Sequence, residues 1–131
     1  MTVKDVKQLI QYWLDGSDYD WKTSLSLLKA KKYPYCLFMC HLSVEKLLKG
    51  LIVKEEKDHA PMTHNLTFLA GKLDIEFSKE RIQLLQEMND FNIEARYPDE
   101  QNEFYKKATK EFARRYVSKT KELREWLVEK F

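Results

Sequence analysis

Apolar residues recur along this chain mostly three and four positions apart, the spacing of one face of an α-helix. Val3, Val6, Leu9, Ile10, Trp13 and Leu14 form a first stretch, and Trp21, Leu25, Leu27 and Leu28 a second. Gly16 and Ser17 lie between them. The spacing fits either a break, with Ser17 or Asp18 capping a second helix, or one bent helix through Gly16, since an isolated glycine costs only about 1 kcal/mol within a helix. Tyr33-Pro34 marks a new start, because proline is tolerated in the first helical turn. From there to about Glu56, Leu37, Cys40, Val44, Leu47, Leu48, Leu51 and Ile52 fill one broad face, which predicts the central helix. The KDHAPMTHN stretch predicts a loop, after which Asn65 or Thr63 caps a short helix through Leu66, Leu69, Ala70 and Leu73. Ser78 opens a helix with Ile82, Leu85, Met88, Phe91 and Ala95 on one side, ended by Pro98, whose predecessor disfavours the α region. A last helix is expected from near Asp99 almost to Phe131, on the stripe Phe104, Ala108, Phe112, Tyr116, Leu123 and Leu127. The pattern predicts one all-α domain over residues 1–131: an antiparallel bundle of four main helices plus a short extra helix.

Composition narrows the class. A hydrophobic fraction of 44% with only 3 Gly and 3 Pro excludes a disordered chain and argues against a turn-rich β-sandwich. Cys36 and Cys40, one helical turn apart, build neither a disulfide framework nor a four-ligand zinc site, so no metal or cofactor is expected. The N-terminus carries charges at positions 4, 5 and 7, and no run approaches 18 apolar residues. A cytoplasmic protein with no membrane segment is the expectation. The net charge of +2 comes from signs that alternate along the chain, which speaks against a broad nucleic-acid surface and leaves a small patch at Arg114, Arg115 and Lys119.

Three constellations are candidates for chemistry. His41, Glu45 and Lys49 fall on one helical face at i, i+4 and i+8 beside Leu42, Val44, Leu47 and Leu48. They fit an ordinary Glu-Lys surface pair with a boundary histidine, or a functional or dimer-facing seam. His64-Asn65 precedes the short helix, either as a loop histidine with an N-cap or as an imidazole placed beside free helix-terminal N–H groups for a phosphate or other anion. Arg96 is expected in the last turn of its helix, before the Tyr97-Pro98 corner, placed either for the helix dipole or as a fork for phosphate or carboxylate.

The run FMCHLSVEKLLKGLIVKE, then P-x-x-HNL, then EARYPDE ahead of a long helix, resembles the HEPN domain (higher eukaryotes and prokaryotes nucleotide-binding) from about Tyr12 to Leu123. The resemblance implies a bundle of about five helices, usually a homodimer, often encoded beside a minimal nucleotidyltransferase. Glu45, Lys46 and Lys49 look like the family's Glu-Lys-x-x-Lys, His64 and Asn65 like its His-Asp or His-Asn loop, and Arg96, Tyr97 and Pro98 like its Ala-Arg-Tyr-Pro element. His41 stands where many relatives carry a polar residue such as Gln. Many members are metal-independent ribonucleases that use an Arg followed, after four to six residues, by a His. Here all Arg residues lie at position 81 or later and all His at or before 64, so that motif is absent.

These readings lead to a non-catalytic module that forms a homodimer and binds a nucleotide, a minimal nucleotidyltransferase partner, or both. Lys49, His64, Asn65, Arg96 and Tyr97 would be its ligand-binding set, with Arg96 and Lys49 on phosphates and Tyr97 stacked on a base. His41, Glu45 and Lys46 would serve as motif or interface residues. The alternatives are a divergent ribonuclease toxin of a toxin-antitoxin pair, with His64 as base and Arg96 stabilising charge on the phosphate of an RNA, or a purely structural oligomerisation module.

Overall fold

A computed structural model describes residues 1–131, and it is entirely helical. Its helices are α1 (Val3–Lys29), α2 (Tyr33–Glu56), α3 (Leu66–Gly71), α4 (Lys79–Asn89), α5 (Pro98–Lys107) and α6 (Lys110–Val128), with a 3-10 turn at Ile93–Ala95 before α5. No helix is long and apolar enough to cross a membrane.

The region around Gly16 is one helix. Thr2 and Asp5 form a capping box at its start, and 27 residues follow without a break. Gly16 is there for proximity. A Cβ at that position would stand 3.1 Å from Lys46 Cδ, so its absence lets the lysine stem cross α1 and reach Asp20, 2.6 Å away. Ser17 is satisfied inside the helix pair: its hydroxyl donates to the Ser43 carbonyl at 2.6 Å and accepts from Arg124 Nη2 at 3.1 Å.

α2 is central, as its width of apolar residues requires. It packs against α1, α3, α4, α6 and the 3-10 turn. Pro34 sits in its first turn and Lys57, in the left-handed conformation at φ 56°, closes its end. Its core residues Leu37, Cys40, Val44, Leu47, Leu48, Leu51 and Ile52 are all within 1% of full burial. At Gly50 an added Cβ would meet the Phe131 ring at 3.1 Å and Trp13 Cβ at 3.2 Å, so glycine here admits a close approach of α1 and the C-terminal ring.

Two predicted helices are shorter than their stripes. Ser78 caps α4 as expected, but the helix stops at Asn89, and Phe91 and Ile93 enter the core from the following turn. Arg96 is therefore not in a helix's last turn; it follows the 3-10 turn in extended conformation. The expected single last helix is two. Thr109 turns its hydroxyl to the Phe112 N–H (3.3 Å) and starts α6 anew, a local hydrogen bond that competes with helix continuation. The apolar stripe keeps its register across the break: Phe104, Ala108, Tyr116, Leu123 and Leu127 are buried, and Phe91 collects Phe104, Phe112 and Tyr116 within 5.0–5.8 Å ring to ring.

Candidate functional site

The row His41–Glu45–Lys49 is not a surface pair. His41 is fully buried, Glu45 is 4% exposed and Lys49 is 7% exposed, because the 57–65 loop closes over one side and Trp13 of α1 over the other. A carboxylate that deep needs partners, and Glu45 has two. Oε2 accepts from Lys49 Nζ at 3.1 Å, and Oε1 accepts from His64 Nδ1 at 2.9 Å. Lys49 Nζ also lies 5.4 Å from the Trp13 ring centre, a cation–π contact.

His41 completes the arrangement from beneath. Its Nε2–H donates to the backbone carbonyl of His64 at 3.0 Å, fixing the loop at the residue whose side chain Glu45 holds. Burial pushes the His41 pKa down to about 4, so the ring is neutral, and its Nδ1 is a buried lone pair without a partner. That lone pair stands 3.8 Å from Glu45 Oε1, further reason for Glu45 to aim its oxygen at His64 instead.

The geometry dictates the state of His64. A carboxylate only accepts, so Nδ1 carries the proton, and Nε2 is left unengaged at the surface, on a side chain 65% exposed. His64 stands at the edge of a groove of about 510 Å³, lined also by Tyr35, Phe38, Met39 and Leu42 of α2 and by Asn92, Glu94 and Ala95 around the 3-10 turn. Tyr35 also interacts with Tyr105, and its hydroxyl raises the Tyr105 pKa.

The other predicted site residues lie elsewhere. Asn65 caps α3 by accepting from Phe68 N (3.1 Å), and it braces Asn89, whose own Oδ1 accepts from Leu66 N. Lys46, next to Glu45 in sequence, points to the opposite side and pairs with Asp20. Arg96 is clamped by Asp90 (Nη2 to Oδ1, 2.6 Å) and Glu100 (Nη1 to Oε2, 3.2 Å), and it lines a separate depression with Glu103 and Lys107. Tyr97 is 76% exposed and starts α5 without touching that groove. The structure thus joins Glu45, Lys49, His41 and His64, and leaves Lys46, Arg96 and Tyr97 outside the group. Sequence reasoning passed over Tyr35 and Asn92; the one signal for Asn92 was a polar residue wedged between the core residues Phe91 and Ile93.

A six-helix bundle around one buried central helix, with a carboxylate-held histidine from the loop after it, defines the class. The sequence model of the HEPN domain matches residues 10–131, and the chain belongs to that family. The fold is similar to the crystal structure of TT1696 from Thermus thermophilus, with a TM-score of 0.78 at 18% identity, over 93% of this chain and 98% of that one. At that identity the likeness speaks for the fold alone. No curated protein matches the sequence.

Proposed function

We propose that this chain is a non-catalytic HEPN module that acts as a homodimer and binds a nucleotide, a minimal nucleotidyltransferase partner, or both, in the cytoplasm. The observation that carries the reading is the Glu45–His64 pair at the edge of the open groove. A buried carboxylate, stabilised by a buried lysine, holds an exposed imidazole in one tautomer, which is costly architecture for a loop and well suited to orienting a hydrogen bond to a ligand. Support for a partner surface comes from the same place. Tyr35, Met39 and Leu42 run down the uncovered side of α2, and Met62 and Phe68 stand exposed nearby in sequence.

The engagement of Arg96 by Asp90 and Glu100, and the order of arginines after histidines, weigh towards binding and against phosphodiester cleavage. Calorimetry with nucleoside triphosphates, together with light scattering, tests the reading. Heat on titration and a dimer mass support it; no heat with any nucleotide leaves the partner-binding form, and a monomer at every concentration removes the dimer.

One observation favours a second reading. A carboxylate hydrogen-bonded to one imidazole nitrogen, with the other free, is also the arrangement of a general base. Incubation of the purified protein with total RNA decides between them. Cleavage that disappears in His64→Ala and Arg96→Ala would establish the ribonuclease, and intact RNA excludes it.

A further inference from the structure

The Glu45–His64 pair does more than fix a tautomer. Glu45 Oε1 accepts from His64 Nδ1 at 2.9 Å and leaves the Nε2 lone pair unengaged at the groove edge. A histidine that ligates a metal ion is held in this way: one ring nitrogen donates to a carboxylate, and the other keeps its lone pair for the ion. The carboxylate orients the ring and makes the free nitrogen a stronger electron-pair donor. Lys49 Nζ is met by Glu45 Oε2 at 3.1 Å, the oxygen that His64 does not use. The loop backbone is fixed as well, because the His64 carbonyl accepts from His41 Nε2 at 3.0 Å. The imidazole is thus presented to the groove in one place and one orientation.

A carboxylate shares that groove. Glu94, in the 3-10 turn, is exposed and lines it together with His64, and no lysine or arginine lines it. The turn that carries Glu94 is fixed too. Gln101 Nε2 donates to the carbonyls of Ile93 (2.9 Å) and Arg96 (3.1 Å), and Ile93 is buried in the core. Tyr35, Phe38, Met39 and Leu42 give the groove an apolar wall, beside which opposite charges attract more strongly than in open water. No three His, Cys, Asp or Glu side chains converge in the chain to enclose an ion. One imidazole and one carboxylate therefore make an open site, with water or an oxygen ligand in the remaining positions. Imidazole nitrogen beside carboxylate oxygen favours borderline ions such as zinc over magnesium or calcium, which prefer oxygen alone.

We infer that the groove beside His64 takes a divalent transition-metal ion, with His64 Nε2 and Glu94 as its protein ligands and Glu45 as the positioning residue behind the histidine. The cysteines offered no metal site, and this one does not use them. The inference goes beyond the proposed function, since it requires neither a nucleotide nor a protein partner. The bound ion gives the groove the positive charge that lysine and arginine do not supply there.

The test is a calorimetric titration of the intact protein, with no nucleotide present, using zinc chloride and separately magnesium chloride. Zinc is expected to bind one ion per chain, and magnesium not at all at the same concentration. His64→Ala should abolish the heat. Glu45→Gln should weaken zinc by roughly tenfold or more through lost orientation of the ring, and Glu94→Gln by at least as much. Glu94 is exposed, so its variant keeps the fold and decides the matter if Glu45→Gln does not fold. His59→Ala removes the other exposed imidazole and should change nothing. Nitrogen-15 NMR should show zinc on Nε2 of His64 in the wild type, and on both ring nitrogens in a folded Glu45→Gln. Zinc on Nε2 alone in that variant, at unchanged affinity, would remove the role given to Glu45. No zinc binding, binding that survives His64→Ala or Glu94→Gln, or equal binding of magnesium would overturn the inference and leave the nucleotide and partner readings as they stand. A loss on His59→Ala alone would mean an adventitious ion only, and would overturn it equally.

Discussion

Glu45 and Lys46 are neighbours on α2, and each anchors a polar cluster inside the bundle, but the two clusters end differently. Lys46 pairs with Asp20 of α1, and beside them Ser17 links the Ser43 carbonyl to Arg124 of α6. These contacts all run between helices, although Arg124 Nε stays buried without a partner, so the cluster stitches α1, α2 and α6 together and stops there. Glu45 binds Lys49 on its own helix and then reaches outward to His64, whose second nitrogen meets solvent beside the groove. Both clusters are built of buried charge. Only the second has an outlet, and an outlet is what separates a site from a brace.

The largest effect should come from cutting the outward cluster at its root. Glu45→Gln leaves Lys49, 7% exposed, as a buried cation without its counter-charge, and breaking such a pair from one side is destabilising by about 3 kcal/mol or more. Asp20→Asn on the inner cluster should lose only about 1 kcal/mol, because the Lys46 side chain is 27% exposed and swings into water. Urea unfolding of the two variants measures the contrast, and equal losses would erase the distinction drawn between the clusters.

The pH dependence should single out His41. Its pKa is pushed down from 6.5 to about 4 in the folded chain, so between those values the unfolded chain takes up a proton that the folded one refuses. Stability from this group is therefore complete above about pH 6.5 and is lost as pH falls towards 4, on the order of 3 kcal/mol in all. The difference in unfolding free energy between wild type and His41→Gln, followed from pH 7 to pH 4, should change by about that amount. A constant difference would mean that His41 takes up its proton as readily in the folded chain as in the unfolded one.

Two glycines give a smaller contrast. Gly50→Ala drives a methyl group against both the Phe131 ring and Trp13 Cβ, and overpacking of that kind is destabilising by about 1–3 kcal/mol. Gly16→Ala meets only the flexible Lys46 stem and gains helix propensity, so its net change should stay within about 0.5 kcal/mol. Thermal melts of the two variants suffice, and a large loss at Gly16 would show the Lys46 stem to be fixed there.

Much of this fold was legible in the sequence because it is local. The caps at Asn65 and Ser78, the proline start of α2 and its broad apolar face are written in residues three or four apart. The break at Thr109 was not legible, because its apolar stripe runs through in steps of four and the competing hydroxyl bond leaves no mark on that period. Gly16 left a break and one continuous helix both open, because its partner, Lys46, lies thirty residues away. The site was legible in part. The spacing of His41, Glu45 and Lys49 put them on one face, and His64 stood out. Their burial depends on Trp13 and the 57–65 loop, which no window of the chain contains, and Asn92 entered only when the turn after α4 folded back beside α2.

The central claim is that Glu45 holds His64 in the Nδ1–H tautomer and so frees Nε2 towards the groove. Nitrogen-15 NMR of the neutral imidazoles tests it most directly. The wild-type spectrum should show His64 with its proton on Nδ1, and Glu45→Gln should remove that preference. A wild-type His64 in the Nε2–H form, the ordinary preference of a free imidazole, would contradict the account.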